Sequence, residues 1–185
     1  RGRISNINEN KDFTVESYSE LEGVNWKYYN TPRTFRITYD TQIIDDEGVV
    51  GQRNFTGYGD SSYKNRTVYI LSNGADAVLI STAPYGNINA KGEIYEIMGE
   101  NADDSTAEEG QKEPDGFILR KAKVYDVQSH TWKDIKDLEI TLLKNSIILK
   151  NNSILKPSEL RKGDNIRIIK KDSNETADAY IIFVE

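Results

Sequence analysis

Few residues in this chain are of a type and spacing that could do chemistry. The one histidine, His130, stands in Ser129-His130-Thr131-Trp132, and a Ser-His pair invites comparison with a nucleophile and its base. Neighbours in sequence seldom aim their side chains at each other, and no strained Gly-x-Ser-x-Gly elbow is present, so the stretch reads as a surface loop. A single imidazole cannot furnish the nitrogen set that zinc prefers. Cysteine is absent, which removes disulfides, thiol catalysis and Cys-ligated metals together. Carboxylates are numerous, but Asp40 with Asp45 or Asp46 would act as a glycosidase pair only if held about 5 to 10 Å apart across a deep cleft. A small β-unit has little wall for such a cleft, so no catalytic residue is assigned and the chain reads as a non-enzyme.

The same carboxylates are hard oxygen ligands. Asp45, Asp46 and Glu47 in a turn, and Asp103 and Asp104 in an acidic stretch, are weak candidates for calcium. They do not follow the EF-hand pattern, a solvated turn or loop is the simpler reading of both, and no metal or cofactor is expected. Aromatic residues are the more suggestive group. Trp26, Tyr28 and Tyr29 cluster in Asn25-Trp26-Lys27-Tyr28-Tyr29-Asn30, while Tyr58, Tyr63 and Tyr85 lie in turns rich in Gly, Ser and Asn. Exposed aromatic faces stack on sugar rings, which makes Tyr58, Tyr63, Tyr28 and Tyr29 the candidates for ligand stacking. The sequons at Asn54, Asn65, Asn151 and Asn174 read as by-products of an Asn-rich composition.

An internal repeat organises the elements that must carry these residues. Arg1-Gly2-Arg3-Ile4 matches Lys91-Gly92-Glu93-Ile94, Phe13-Thr14-Val15 matches Phe117-Ile118-Leu119, and Trp26 matches Trp132. Phe35-Arg36-Ile37-Thr38 follows against Leu138-Glu139-Ile140-Thr141, then Ile43-Ile44 against Ile147-Ile148, Gly59-Asp60 against Gly163-Asp164, and Val68 to Leu71 against Ile166 to Ile169. Ala75-Asp76-Ala77-Val78-Leu79-Ile80 against Ala177-Asp178-Ala179-Tyr180-Ile181-Ile182 closes each unit. The paired tryptophans point to packing more than to a private binding site. Between Ile97 and Phe117 the second unit carries extra residues, the acidic stretch 99–116, and the first unit carries its own insertion within Ser61 to Thr67. Both insertions have turn-like composition and are expected as surface loops.

Within a unit the apolar residues alternate, with Phe35, Ile37 and Tyr39 on one face and Leu138, Ile140 and Leu142 on another, the period of half-buried strands. Helical spacing is limited to one candidate, Pro157 to Gly163, which suits a short helix or tight turn. The expectation is therefore an all-β chain of two tandem, OB-like β-barrels, with small β-sandwiches as the alternative. The units span 1–87 and 88–185. Pro84 stiffens the connection, and Tyr85 or Ile88 can wedge between units, which makes these three the inter-unit contact candidates.

Charge adds one exclusion. The chain has 24 Lys and Arg against 30 Asp and Glu, a formal net charge of −6, and the stretch 99–116 alone accounts for that balance. No basic cluster exists elsewhere, so nucleic acid is not an expected partner. No apolar run approaches the roughly 20 residues of a bilayer span, no leader is recognisable, and the opening at Arg1 reads as that of an excised segment.

Gly2-x-Ile4-x-x-Ile7, Phe13-Thr14-Val15, Thr34 to Thr41, Leu160 to Ile169 and Ala177 to Ile182 together resemble the small β-repeats found beside S-layer homology modules in clostridial cell-surface proteins. The resemblance covers nearly the whole chain. It implies an extracellular segment of an exported bacterial surface protein, serving as spacer or assembly element. Partners would be other repeats or modules of the same parent chain and cell-wall polysaccharide, with anchoring supplied by another part of that chain. It brings no catalytic residues. A carbohydrate-binding module with aromatics on a barrel face is the competing expectation.

Overall fold

The computed structural model describes residues 1–9, 11–56, 63–83, 86–99, 113–151, 153–171 and 176–185. The chain divides into two compact units, Arg1–Tyr85 and Gly86–Glu185. Gly86 goes with the second unit because a Cβ there would lie 2.7 Å from Tyr180 Cδ2 and 2.9 Å from the Lys170 carbonyl oxygen. Ile88, half-buried, opens the first strand of that unit opposite Lys170. Pro84 and Tyr85 lie outside the described residues.

In the first unit the strands are β1 (Gly2–Asn8), β2 (Asp12–Glu22), β3 (Asn25–Tyr29), β4 (Arg33–Asp45), β5 (Gly48–Val49), β6 (Thr67–Asn73) and β7 (Asp76–Thr82), with a four-residue helix α1 (Gln52–Phe55) before β6. They pair in the order β3-β2-β1-β6-β7-β4-β5, and β2 also pairs β4. That extra pairing closes β1, β2, β4, β7 and β6 into a five-stranded ring with no free edge of its own, a Greek-key barrel of the OB kind. β4 and β7 are its one parallel pair. The second unit repeats the arrangement with β8 (Ile88–Met98), β9 (Gly116–Asp126), β10 (Thr131–Asp134), β11 (Leu138–Lys150), β12 (Ser153–Ile154), β13 (Asn165–Lys170) and β14 (Thr176–Val184), and β9 pairs β11 to close the ring. The all-β barrel class expected from the alternation is the observed one.

Each barrel is filled. Ile4, Phe13, Val15, Phe35, Val68 and Ile80 pack inside the first, with Phe55 of α1 fully buried as a plug and its ring edge-on to Phe13 at 5.6 Å. Ile94, Phe117, Leu119, Leu138, Ile140 and Ile166 fill the second. Its counterpart to α1 is only a 3-10 turn at Pro157–Glu159, where the sequence allowed a short helix.

Three devices recur at matched positions. A glycine sits where the first and second ring strands cross most closely: a Cβ on Gly2 would meet the Ser17 carbonyl oxygen at 2.8 Å, and one on Gly92 that of Arg120 at 3.0 Å. In the long third strand a bulge breaks the parallel ladder, and one hydroxyl repairs it. Thr41 Oγ1 accepts from the Thr38 N–H at 2.8 Å and donates to the Ala77 carbonyl at 2.6 Å. Ser146 Oγ does the same between the Leu143 N–H and the Ala179 carbonyl, at 2.8 and 2.7 Å. The third device is a cation on the matched tryptophan, with the Arg1 guanidinium 4.1 Å from the Trp26 ring centre and Lys91 Nζ 4.5 Å from that of Trp132.

The pairing corrects two details of the repeat. Phe35 stands opposite Phe13 and Ile140 opposite Phe117, so Phe35 corresponds to Ile140 and not to Leu138. Ile43 opposite Ile80 likewise corresponds to Ile148 opposite Ile182. A slip of two residues keeps every side chain on its face, which is why the alternation concealed the first; the second is a slip of one, concealed because 147 and 148 are both isoleucine. The bulge also removes Tyr39 from the inner face: it is 97% exposed, and Gln52 Nε2 donates to the Thr38, Tyr39 and Thr41 carbonyls behind it.

The ends of each unit have a defined relation. β1 and β7 are both antiparallel to β6 and therefore run the same way, and Gly2 and Thr82 flank the same residue, Val68. Gly92 and Val184 flank Ile166 in the same manner. In the first unit the two ends therefore lie level with each other with β6 between them, and a pull that separates them acts across the ladder. In the second the first strand starts at Ile88 opposite Lys170, so the ends are offset along the strands and a pull has a component of shear.

Candidate functional site

Among the described residues the first unit has a polar pocket built from several elements. The turn between β4 and β5 supplies Asp45, Asp46 and Glu47, α1 supplies Arg53 and Asn54, and the segment entering β6 supplies Tyr63 and Arg66. The space is about 480 Å³ and opens to solvent. Its floor is a hydrogen bond from Tyr63 Oη to Asp45 Oδ2 at 2.5 Å, while Asp45 Oδ1 accepts the Glu47 N–H at 2.9 Å. Both partners are nearly buried, Tyr63 at 6% exposure and Asp45 at 9%. Burial and the neighbouring Asp45 carboxylate push the Tyr63 phenol up to about 12.

Tyr63 was expected as a stacking face, and the structure corrects this. Its ring lies against Phe55 at 5.2 Å, and the Arg66 guanidinium covers it at 4.6 Å. At Tyr63 Phe55 offers apolar surface, so turn-like composition does not mean exposure there. The calcium candidates fare similarly. Both oxygens of Asp45 are committed to donors, and among the described residues no group of three or more His, Asp or Glu could hold a metal ion. Asp103, Asp104 and Tyr58 lie outside the described residues.

The second unit ties the same place differently. β11 ends at Lys150, as β4 ends at Asp45, and Lys150 Nζ approaches Asp164 Oδ1, just before β13, at 3.9 Å. The scaffold is shared and the chemistry is not.

Tyr28 and Tyr29 sit on opposite faces of β3. Tyr29 is stacked on Tyr18 at 4.8 Å and is half-buried. Tyr28 is 62% exposed beside a groove of about 330 Å³ lined by Arg1, Ser17, Tyr18, Ser19 and Trp26. Trp26 is tilted against Tyr69 at 5.9 Å, so the β2–β3 arm covers the outside of the barrel, the packing role its repetition suggested. At the matching tip of the second unit, His130 adopts a left-handed backbone (φ 53°) in the turn before β10, with Nδ1 3.4 Å from Tyr125 Oη. Ser129 Oγ pairs with Thr131 Oγ1 at 2.8 Å instead of with the imidazole.

Arg53, Arg66, Gln52 and Thr41 are the positions that sequence reasoning missed. Arg66 lies within the stretch that holds the insertion and Arg53 precedes it, which was the one available signal. Nothing local marks Thr41 or Gln52, because their partners come from other strands.

Among the described residues no helix is long and apolar enough to cross a membrane. The chain matches no family model, and neither the curated proteins nor the solved structures contain a match to it.

Proposed function

We propose that this chain is a non-catalytic, load-bearing spacer of an exported bacterial cell-surface protein, two barrels in series that hold other modules of the same parent chain away from the wall. The observation that carries the reading is the placement of the ends. Gly2 and Thr82 lie beside Val68, and Gly92 and Val184 beside Ile166, so in each closed barrel the first and last strands are held by one shared partner strand, and separating the ends of a unit must open its ring there. The closure glycine, the hydroxyl bridge and the cation on tryptophan are repeated, whereas the polar chemistry differs between units; what is duplicated is mechanical. The resemblance to repeats of clostridial surface proteins supports the location. Brief trypsin treatment of intact source cells tests it: peptides of this chain should be released without lysis, and their recovery only from broken cells would overturn the reading.

A second reading has its own observation. Tyr28 stands exposed beside the hydroxyls of Ser17 and Ser19, a small platform for a sugar ring. Trp26 lines the same groove, so its fluorescence reports directly on occupancy. A saturable change with cell-wall or plant polysaccharide, abolished by Tyr28→Ala, would establish this carbohydrate-binding module; a flat titration removes it.

A further inference from the structure

We infer that the pocket at the β4–β5 turn of the first unit binds a small zwitterion, the chemical class of free amino acids and short peptides. The inference is independent of where the chain resides. Four exposed charged side chains face this one space, Asp46 and Glu47 from the turn and Arg53 and Arg66 from α1 and the approach to β6. Among the described residues none of the four enters an ion pair. Elsewhere the units pair their charges readily: Glu20 with Arg33, Asp76 with Arg36, Glu93 with Arg120 and Lys121, Asp126 with Lys133. Here two charges of each sign are held apart around a space of about 480 Å³, within the range of small-ligand sites.

The floor keeps them apart. Tyr63 is clamped by Phe55, Arg66 and its bond to Asp45, which fixes the segment carrying Arg66 relative to the turn carrying Asp46 and Glu47. An anion alone would meet the carboxylates, and a cation alone the guanidiniums. A compact ligand with an ammonium at one end and a carboxylate at the other satisfies both walls at once, and the mismatched wall penalises each half-charged analogue. Calcium is disfavoured by the two guanidiniums and by the committed oxygens of Asp45. Lys150 stands in place of Asp45 in the second unit, so binding belongs to the first unit alone.

The test uses the intact chain, isotope-labelled for NMR and titrated with glycylglycine, N-acetylglycylglycine or glycylglycinamide. Glycylglycine should shift the Asp46 and Glu47 amides and the Arg53 and Arg66 Nε–H signals saturably, with a Kd on the order of 1 mM. Blocking either end should weaken binding about tenfold, as should Arg53→Gln, at an exposed position, with the remaining spectrum unchanged. Equal shifts from all three probes, or no shift at about 20 mM glycylglycine, would overturn the inference. So would displacement of glycylglycine by calcium chloride in excess of its effect as a salt, matched with sodium chloride.

Discussion

Thr41 Oγ1 donates to the Ala77 carbonyl at 2.6 Å across the bulge in the parallel pair of the first barrel, and Ser146 makes the same bridge to Ala179 in the second. Each hydroxyl satisfies two backbone groups that the bulge would otherwise leave unpaired inside the sheet. Thr41→Val keeps the shape and removes both bonds, so it should cost about 1–3 kcal/mol in urea unfolding, and Ser146→Ala a similar amount. Thr41→Ser should recover most of the loss. An unchanged midpoint for Thr41→Val would mean that the bridge is incidental.

The glycines at strand crossings make a sharper contrast. A Cβ on Gly116 would collide with the Ile140 carbonyl oxygen and lie 2.5 Å from Met98 Cε, so Gly116→Ala should destabilise the second unit by about 3 kcal/mol or more. Gly51, with nothing within 4 Å of a built Cβ and φ −67°, is the control. Gly51→Ala should be neutral, or stabilising by about 0.4–1 kcal/mol. Calorimetry of both variants checks the pair.

Tyr63 gives a pH dependence with a definite sign. Its phenol, held up to about 12 against 10 for an ordinary tyrosine, keeps its proton in the folded state where the unfolded chain has lost its own. The folded state then binds more protons, so the stabilisation is complete below pH 10 and is lost as pH rises from 10 through 12. Tyr63→Phe should flatten that loss in thermal melts between these limits. It should also lower stability near neutral pH by about 1–3 kcal/mol, because Asp45 loses a donor while remaining buried.

Much of the architecture was legible in the sequence, and the reason is periodicity. Val68 and Ile70, or Ile166 and Ile168, announce half-buried strands, and duplication made each strand count twice. Equivalence along the third strand was not legible, since a two-residue slip of Leu138 against Phe35 preserves the face and only the partner strand fixes the register. Tyr39 was placed inside for the same reason, because a bulge leaves no mark in an alternating pattern.

The site was less legible than the fold. Tyr63 sits among small polar residues and reads as exposed, yet Phe55 draws it down. Arg53 and Arg66 look like ordinary surface cations until the fold brings them opposite Asp46 and Glu47. Tyr28, by contrast, was legible as an exposed aromatic from its polar surroundings, while Tyr29, named with it, falls on the opposite face and is stacked on Tyr18.

The load-bearing claim meets its most direct test in single-molecule pulling on the intact chain, held at its two ends. Two separately closed and filled barrels predict two separate force peaks, each followed by release of about 300 Å of contour length, the span of one unit unravelled. Thr41→Val should lower one peak and Ser146→Ala the other. Gradual extension without peaks, or both barrels yielding in a single event, would contradict the account.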